Sequence, residues 1–143
     1  MPKPWYSIKA AAEGTDVDEI SILEDIHPWF GCNAQTFLRE FRALEADTVR
    51  VYINSPGGSV IEALAIFNGM RATGKKIEAH VLGIAASAAS YIAMAADKIV
   101  MPANTFMFLH NPEAPAHGNA DELREVADTL DKMAVSLTAT YAK

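Results

Sequence analysis

A chain of 143 residues, half of them apolar, is long enough to bury one sizeable core and too short to suggest a second domain. Its net charge of -6, with the Lys and Arg residues scattered, provides no basic stripe to neutralise phosphates, which excludes nucleic acid as an expected partner. The single cysteine, Cys32, rules out an intramolecular disulfide and a cysteine-built zinc site, and a reducing cytoplasm suits it best.

The opening segment MPKPWYSIKAAAEG lacks the apolar core of a signal peptide, and no apolar run reaches about 18 residues without interruption. A soluble protein with no membrane partner is expected. ISILEDI, from Ile20 to Ile26, reads as a strand and HPWFG as a turn, after which Asn33 caps a helix through AQTFLREFRAL. DTVRVYINS alternates as a strand, PGGS turns, and VIEALAIFNGMRA has helical apolar spacing. KKIEAHVLG repeats the strand, and AASAASYIAMAA reads as a helix of small residues suited to close packing. DKIVM and TFMFLH read as short strands around the turn PAN. Asn119, three residues before Glu122, resembles a capping box, and Leu123, Val126, Leu130, Met133, Leu137 and Tyr141 fall on one stripe of a long helix. Strands alternating with helices argue for a largely parallel α/β layer with right-handed connections.

Three features carry possible chemistry. In NSPGGS, residues 54–59, two glycines between strand and helix leave backbone amides unscreened near a helix N-terminus, where they suit an oxyanion; an ordinary tight turn uses the same residues. In GIAAS, Ser87 comes straight off an apolar strand, where its hydroxyl and the following amide can point to one place, as in a nucleophile elbow. Helix packing or capping also suits Ser87, and packing suits Ser90 better still. His110, at the end of MFLH, has the residue chemistry of a general base at neutral pH, although a histidine at a strand end also serves structure. His27, His80 and His117 form no metal-binding spacing. The three features belong at one edge of one sheet.

Together, NSPGGSVIEALAIFNGM, GIAASAASYIAMAADKIVMPANTFMFLHNP and the helix that follows resemble the Clp-type serine peptidases, self-compartmentalising protease subunits, in their phage or prophage branch. The resemblance runs from about Ile20 to the last residue. It implies a crotonase-like Clp protease fold of repeated ββα units with a long C-terminal handle helix, one domain over residues 1–143. It implies Ser87 as nucleophile, His110 as base, the amides of Gly58 and Ala88 as oxyanion donors, and Ser59 as a contact for substrate backbone. No cofactor or metal is implied. The substrate would be protein or peptide, and the partners further copies of the chain in seven-membered rings that stack. In the phage branch the role is head maturation, the cleavage of scaffold or capsid precursor. The segment MPKPWYSIKA differs from the loop by which cellular members engage an AAA+ unfoldase, so that partnership is not carried over.

In the family an aspartate that orients the histidine follows the long helix, and no residue here matches it. Asp121, Asp128 and Asp131 lie on the helix, and Asp97 belongs to AADKI. The expectation is therefore that these 143 residues lack the family's C-terminal segment. Three rival readings stand beside the first. A signal peptide peptidase type would use a lysine base, with Lys98 as a candidate; a crotonase type would use oxyanion amides without a nucleophilic serine; an inactive ring subunit would only assemble.

Overall fold

Period-two alternation in TVRVYINS and KIEAHVLGIAA turns Val49, Val51, Ile53, Ile77, Ala79 and Val81 to one side, where each is buried. These residues form the two central strands of the computed structural model, which describes residues 3–29 and 31–143; Phe30 of the expected HPWFG turn lies outside them. The chain divides into two compact units, Met1–Leu109 and His110–Lys143.

In the first unit the order is β1 (Tyr6–Lys9), β2 (Val17–Ile22), α1 (Ala34–Arg42), β3 (Thr48–Ser55), α2 (Val60–Ala72), β4 (Lys76–Ala86), α3 (Ala88–Ala93), β5 (Lys98–Val100) and β6 (Phe106–Phe108). The strands form one sheet in the order β1-β2-β3-β4-β5, and β6 also pairs with β4. Only β1 runs antiparallel. This is the mixed α/β sheet that the resemblance implies. The β3–α2 and β4–α3 turns consequently leave the carboxyl ends of adjacent parallel strands, where α/β folds collect their sites.

Local chemistry fixes the helices. The Asn33 side chain accepts from Thr36 N at 2.9 Å to start α1, whose Phe37 and Phe41 are fully buried. Phe37 stacks on Trp5 at 5.6 Å and meets Tyr6 edge-on at 5.0 Å, so the N-terminal strand is locked to α1 by aromatic packing. Trp5 Nε1 donates to the carbonyl oxygens of His27 and Cys32. At the start of α2, the Glu62 carboxylate accepts from Ala34 N, joining the two helix heads. Asp97 closes the unit: Oδ2 accepts from Ile77 N at 2.9 Å and Oδ1 from Arg71 at 3.0 Å.

The other face of the sheet is half-exposed and polar. Lys9, Glu19, Arg50, Glu78 and Lys98 stand in register across five strands, alternating in sign. Burial acts to raise the Glu78 carboxyl, but the hydrogen bond from His80 and the charges of Lys76 and Arg50 outweigh it and hold the carboxyl below its ordinary value.

Some elements differ from expectation. The strand read over Ile20–Ile26 is β2 at Val17–Ile22, and Ile26 instead makes one isolated bridge to Gly58. Asp18 lies inside that strand, buried, accepting from Ala11 N and Ala46 N, so a charged residue hides the strand's start from a hydropathy reading. The helix read over AASAASYIAMAA shrinks to six residues, because Ala85 and Ala86 remain in β4. In the second unit, α4 (Ala120–Tyr141) carries the full capping box: Glu122 N donates to Asn119 Oδ1 at 3.0 Å and Asn119 N to Glu122 Oε2 at 2.8 Å. No residue of α4 is buried, although Val126, Leu130, Met133, Leu137 and Tyr141 of its stripe are half-buried. Among the described residues, no helix is long and apolar enough to cross a membrane.

Two outcomes follow. Phe37→Ala should destabilise the protein by about 3–5 kcal/mol, measured by denaturant unfolding. Backbone donation from Ile77, then the hydrogen bond and charge of Arg71, hold the Asp97 carboxyl below its ordinary 3.8. A depressed carboxyl stabilises the fold above its unfolded pKa and loses that contribution as pH falls through the folded one. Unfolding curves of Asp97→Asn should therefore lie below wild type at neutral pH and converge with it in acid, below 3.8.

Candidate active site

The chain must reverse sharply between β4 and α3, and it does so at Ser87. With φ 51° and ψ −125°, Ser87 is the one non-glycine residue with positive φ among the described residues. Such a conformation costs of order 1–3 kcal/mol and persists only where the surroundings enforce it. They do so here from both sides. Ser87 N donates to Phe108 O at 2.8 Å, and Ser87 O accepts from Ser90 N at 2.9 Å and from Ser90 Oγ at 2.5 Å. Ser90 is fully buried, so its role is structural, as packing suggested. The Ser87 side chain makes no capping hydrogen bond to α3, which removes the capping role that the sequence left open. Ala85, Ala86 and residues 88–93 are buried while Ser87 is half-exposed. A hydroxyl is thus presented from an otherwise buried segment on a strained strand-to-helix turn. Ala88, the next residue, is the first of α3, and its amide has no carbonyl behind it within the helix.

The PGG turn presses against this elbow. A Cβ on Gly57 would lie 2.7 Å from Ser87 Cβ, 2.7 Å from Ala86 O and 3.0 Å from Ala88 N, so only glycine lets the two turns touch. Gly57 and Gly58 both have positive φ, 105° and 142°. The turn is anchored on its far side: Ile26 N donates to Gly57 O at 2.8 Å and Ser59 N to Ile26 O at 2.9 Å. Since the flanking peptide groups face Ile26, strand alternation turns the Gly58 amide the other way. Ser55 Oγ accepts from Gly57 N at 3.2 Å while donating to Glu24 O at 2.8 Å, a buried tie under the turn.

The structure thus brings Ser87 and Ala88 together with the PGG turn that carries Gly58. Ser59 caps α2, accepting from Glu62 N at 3.3 Å. His110 opens the second unit, exposed, with Nδ1 2.7 Å from Asn111 O. With its proton on Nδ1, the ring donates to that carbonyl and Nε2 becomes the basic nitrogen. Along the chain His110 follows two residues after Phe108, whose carbonyl holds the Ser87 amide. Lys98, the candidate lysine base, pairs with Glu78 nine positions upstream of Ser87, roughly 30 Å away along the strand. Asp97 is engaged by Arg71 and Ile77. Among the described residues, no group of three or more His, Cys, Asp or Glu residues is placed to hold a metal ion. The sequence marks both glycines of PGG as turn residues and Gly58 as the amide donor; the close approach of Gly57 to Ser87 is what the structure adds, and its signal was the pair of small-residue segments, PGG and AAS, at adjacent turns.

A mixed α/β sheet thus sets a positive-φ serine against a glycine turn at the carboxyl ends of adjacent parallel strands. The Clp protease family profile matches residues 33–143, and the chain belongs to the Clp protease family. An ATP-dependent Clp protease proteolytic subunit of Pleurastrum terricola is 32% identical over 96 residues, covering 65% of this chain and 48% of its own length. The protein of the same name from Ligilactobacillus salivarius is 35% identical over 102 residues, 69% of this chain and 51% of that one. Proteolytic subunit 3 of Streptomyces coelicolor is 31% identical over 121 residues, 82% and 52% respectively. The chain spans about half the length of the curated relatives it matches. A solved structure of a ClpP1 mutant from Listeria monocytogenes has the same fold, with a TM-score of 0.66 at 21% identity over 85% of this chain and 68% of that one.

Substituting Gly57→Ala should strain the turn and push a methyl group into Ser87. A fall in melting temperature together with slowed chemical modification of Ser87 is the expected result, while wild-type values of both would show that the turns do not touch.

Proposed function

We propose that this chain acts as a serine endopeptidase subunit, with Ser87 as nucleophile and His110 as general base. The observation that carries this reading is the half-exposed Ser87 hydroxyl, held on a positive-φ elbow against the Gly57–Gly58 turn. In the proposed cycle His110 Nε2 takes the Ser87 proton as Oγ attacks the peptide carbonyl. The amides of Gly58 and Ala88 receive the developing oxyanion, and His110 returns the proton to the leaving amine. Water, deprotonated by the same imidazole, then attacks the acyl-enzyme and frees Ser87. Acceptance of the Nδ1 proton by the Asn111 carbonyl orients the ring, with less stabilisation of the imidazolium than a carboxylate provides. Ser59 Oγ accepts from Glu62 N as the cap of α2 and keeps its own proton to donate to substrate backbone.

The reading extends to assembly and setting. Copies of the chain form seven-membered rings that stack, with α4 as the handle between them, in the cytoplasm, where they cleave scaffold or capsid precursor during phage head maturation. The capped but unburied α4 supports a role in assembly, and the motif resemblance supports the rest.

A fluorophosphonate probe followed by peptide mapping tests the chemistry. Label should appear on Ser87, disappear in Ser87→Ala, and form roughly 10²–10⁴-fold more slowly in His110→Ala. An unlabelled wild-type chain would instead indicate an inactive ring subunit, and acyl-CoA turnover surviving Ser87→Ala would indicate the crotonase chemistry. Mass photometry should show rings, and a strictly monomeric species at micromolar concentration would contradict the assembly.

A further inference from the structure

The strands β3 and β4 keep one register from Thr48↔Lys76 to Ile53↔Val81, then change it, so that Ser55 pairs with Ala85. Two extra residues are thereby accommodated in β4, immediately before Ser87. A bulge of this kind leaves ladder groups without partners and needs something to hold it. Asn54, opposite the bulge, is the residue that does so: its Oδ1 accepts from Ile84 N at 3.1 Å. The fit is close on the other side as well, because a Cβ on Gly83 would lie 2.6 Å from the same Oδ1.

Hydrophobic patterning does not specify this register by itself. A two-residue slip returns every side chain to the same face, since the strand period is two, and so the apolar residues of β4 would be as well buried either way. The regular register would pair Ser55 with Gly83 and move Ser87 by about 7 Å along the strand, away from Gly57. We propose that Asn54 is a positioning residue for acyl transfer: its side-chain oxygen holds the β4 bulge open and thereby sets the Ser87 hydroxyl opposite the PGG amides. Its neighbour Ser55 ties the other half of the site, holding Gly57 N from below. The NS of NSPGG thus divides the work, with Asn54 on the serine's strand and Ser55 on the glycine turn. This inference rests on the reading of Ser87 as nucleophile.

The test compares the full chain with Asn54→Ala, Asn54→Asp and Gly83→Ala, measuring hydrogen exchange over residues 81–87, peptide hydrolysis, and labelling of Ser87 by a fluorophosphonate. Asn54→Ala should exchange about tenfold faster at Ile84, as loss of one hydrogen bond implies. Its kcat should fall on the order of 10–100-fold with KM within about twofold, because the misplacement is felt in the transition state. Asn54→Asp keeps an oxygen in place and should recover to within about fivefold of wild type. Gly83→Ala should reproduce the Asn54→Ala loss by displacing the carboxamide, and the double variant should be no worse than Asn54→Ala alone. Equal impairment of the Ala and Asp variants, or a fall in kcat with unchanged exchange, would overturn the inference. Were wild type itself unlabelled, the nucleophile reading would fail, and exchange over 81–87 would decide the register role separately: faster in Asn54→Ala sustains it, equal rates end it.

Discussion

At the carboxyl edge of the sheet two turns meet so closely that the position of one glycine hydrogen determines the site. Gly57 lies against Ala86, Ser87 and Ala88, and any side chain there would overlap Ser87 Cβ. The contact depends on β3 and β4 being parallel neighbours, because only then do their following turns emerge side by side. It depends equally on β4 being two residues longer than its partner segment, which carries Ser87 out to the height of the PGG turn. The helices α2 and α3 then lead away from the same point, each beginning with amides that no intrahelical carbonyl satisfies.

Strain at Ser87 is sustained by ordinary interactions around it. Phe108 holds its amide, Ser90 grips its carbonyl, and the buried alanines on either side leave no room for the backbone to relax. The PGG turn is held in the same manner by Ile26, whose carbonyl and amide bracket Gly58, and by the Ser55 hydroxyl beneath Gly57. A group meant to react must be exposed and aimed before substrate arrives, and preorganisation of this kind spares the reorganisation that a mobile loop would require. The polar row Lys9, Glu19, Arg50, Glu78 and Lys98 lies toward the start of the parallel strands, away from the turns, and forms ion pairs at Lys9–Glu19 and Arg50–Glu78.

Much of this was legible in the residues. Asn33 and Asn119 announce their helices because a short polar side chain can reach the third amide on, and Val49, Val51 and Ile53 show their strand by strict alternation. The elbow was legible as a combination, PGG after one strand and AAS after the next. Other features were hidden because they are consequences of pairing. YSIK becomes a strand only by lying antiparallel on β2, with Trp5 and Phe37 holding it there. Ala85 and Ala86 have helical propensity, yet the sheet keeps them extended through pairing with Met107 and Phe108. The register change at Asn54 is invisible to hydropathy, since a slip by two leaves the buried face intact. The close approach of Gly57 is hidden for a similar reason: what it must avoid belongs to a turn about thirty residues later.

The most direct measurement is a crystal structure of the chain with a peptide boronate, whose tetrahedral boron mimics the acyl-transfer intermediate. The account predicts boron bonded to Ser87 Oγ, one boronate oxygen within hydrogen-bond distance of the Gly58 and Ala88 amides, and His110 Nε2 beside the other. A boronate bound elsewhere, or an oxygen that turns away from both amides, would contradict it.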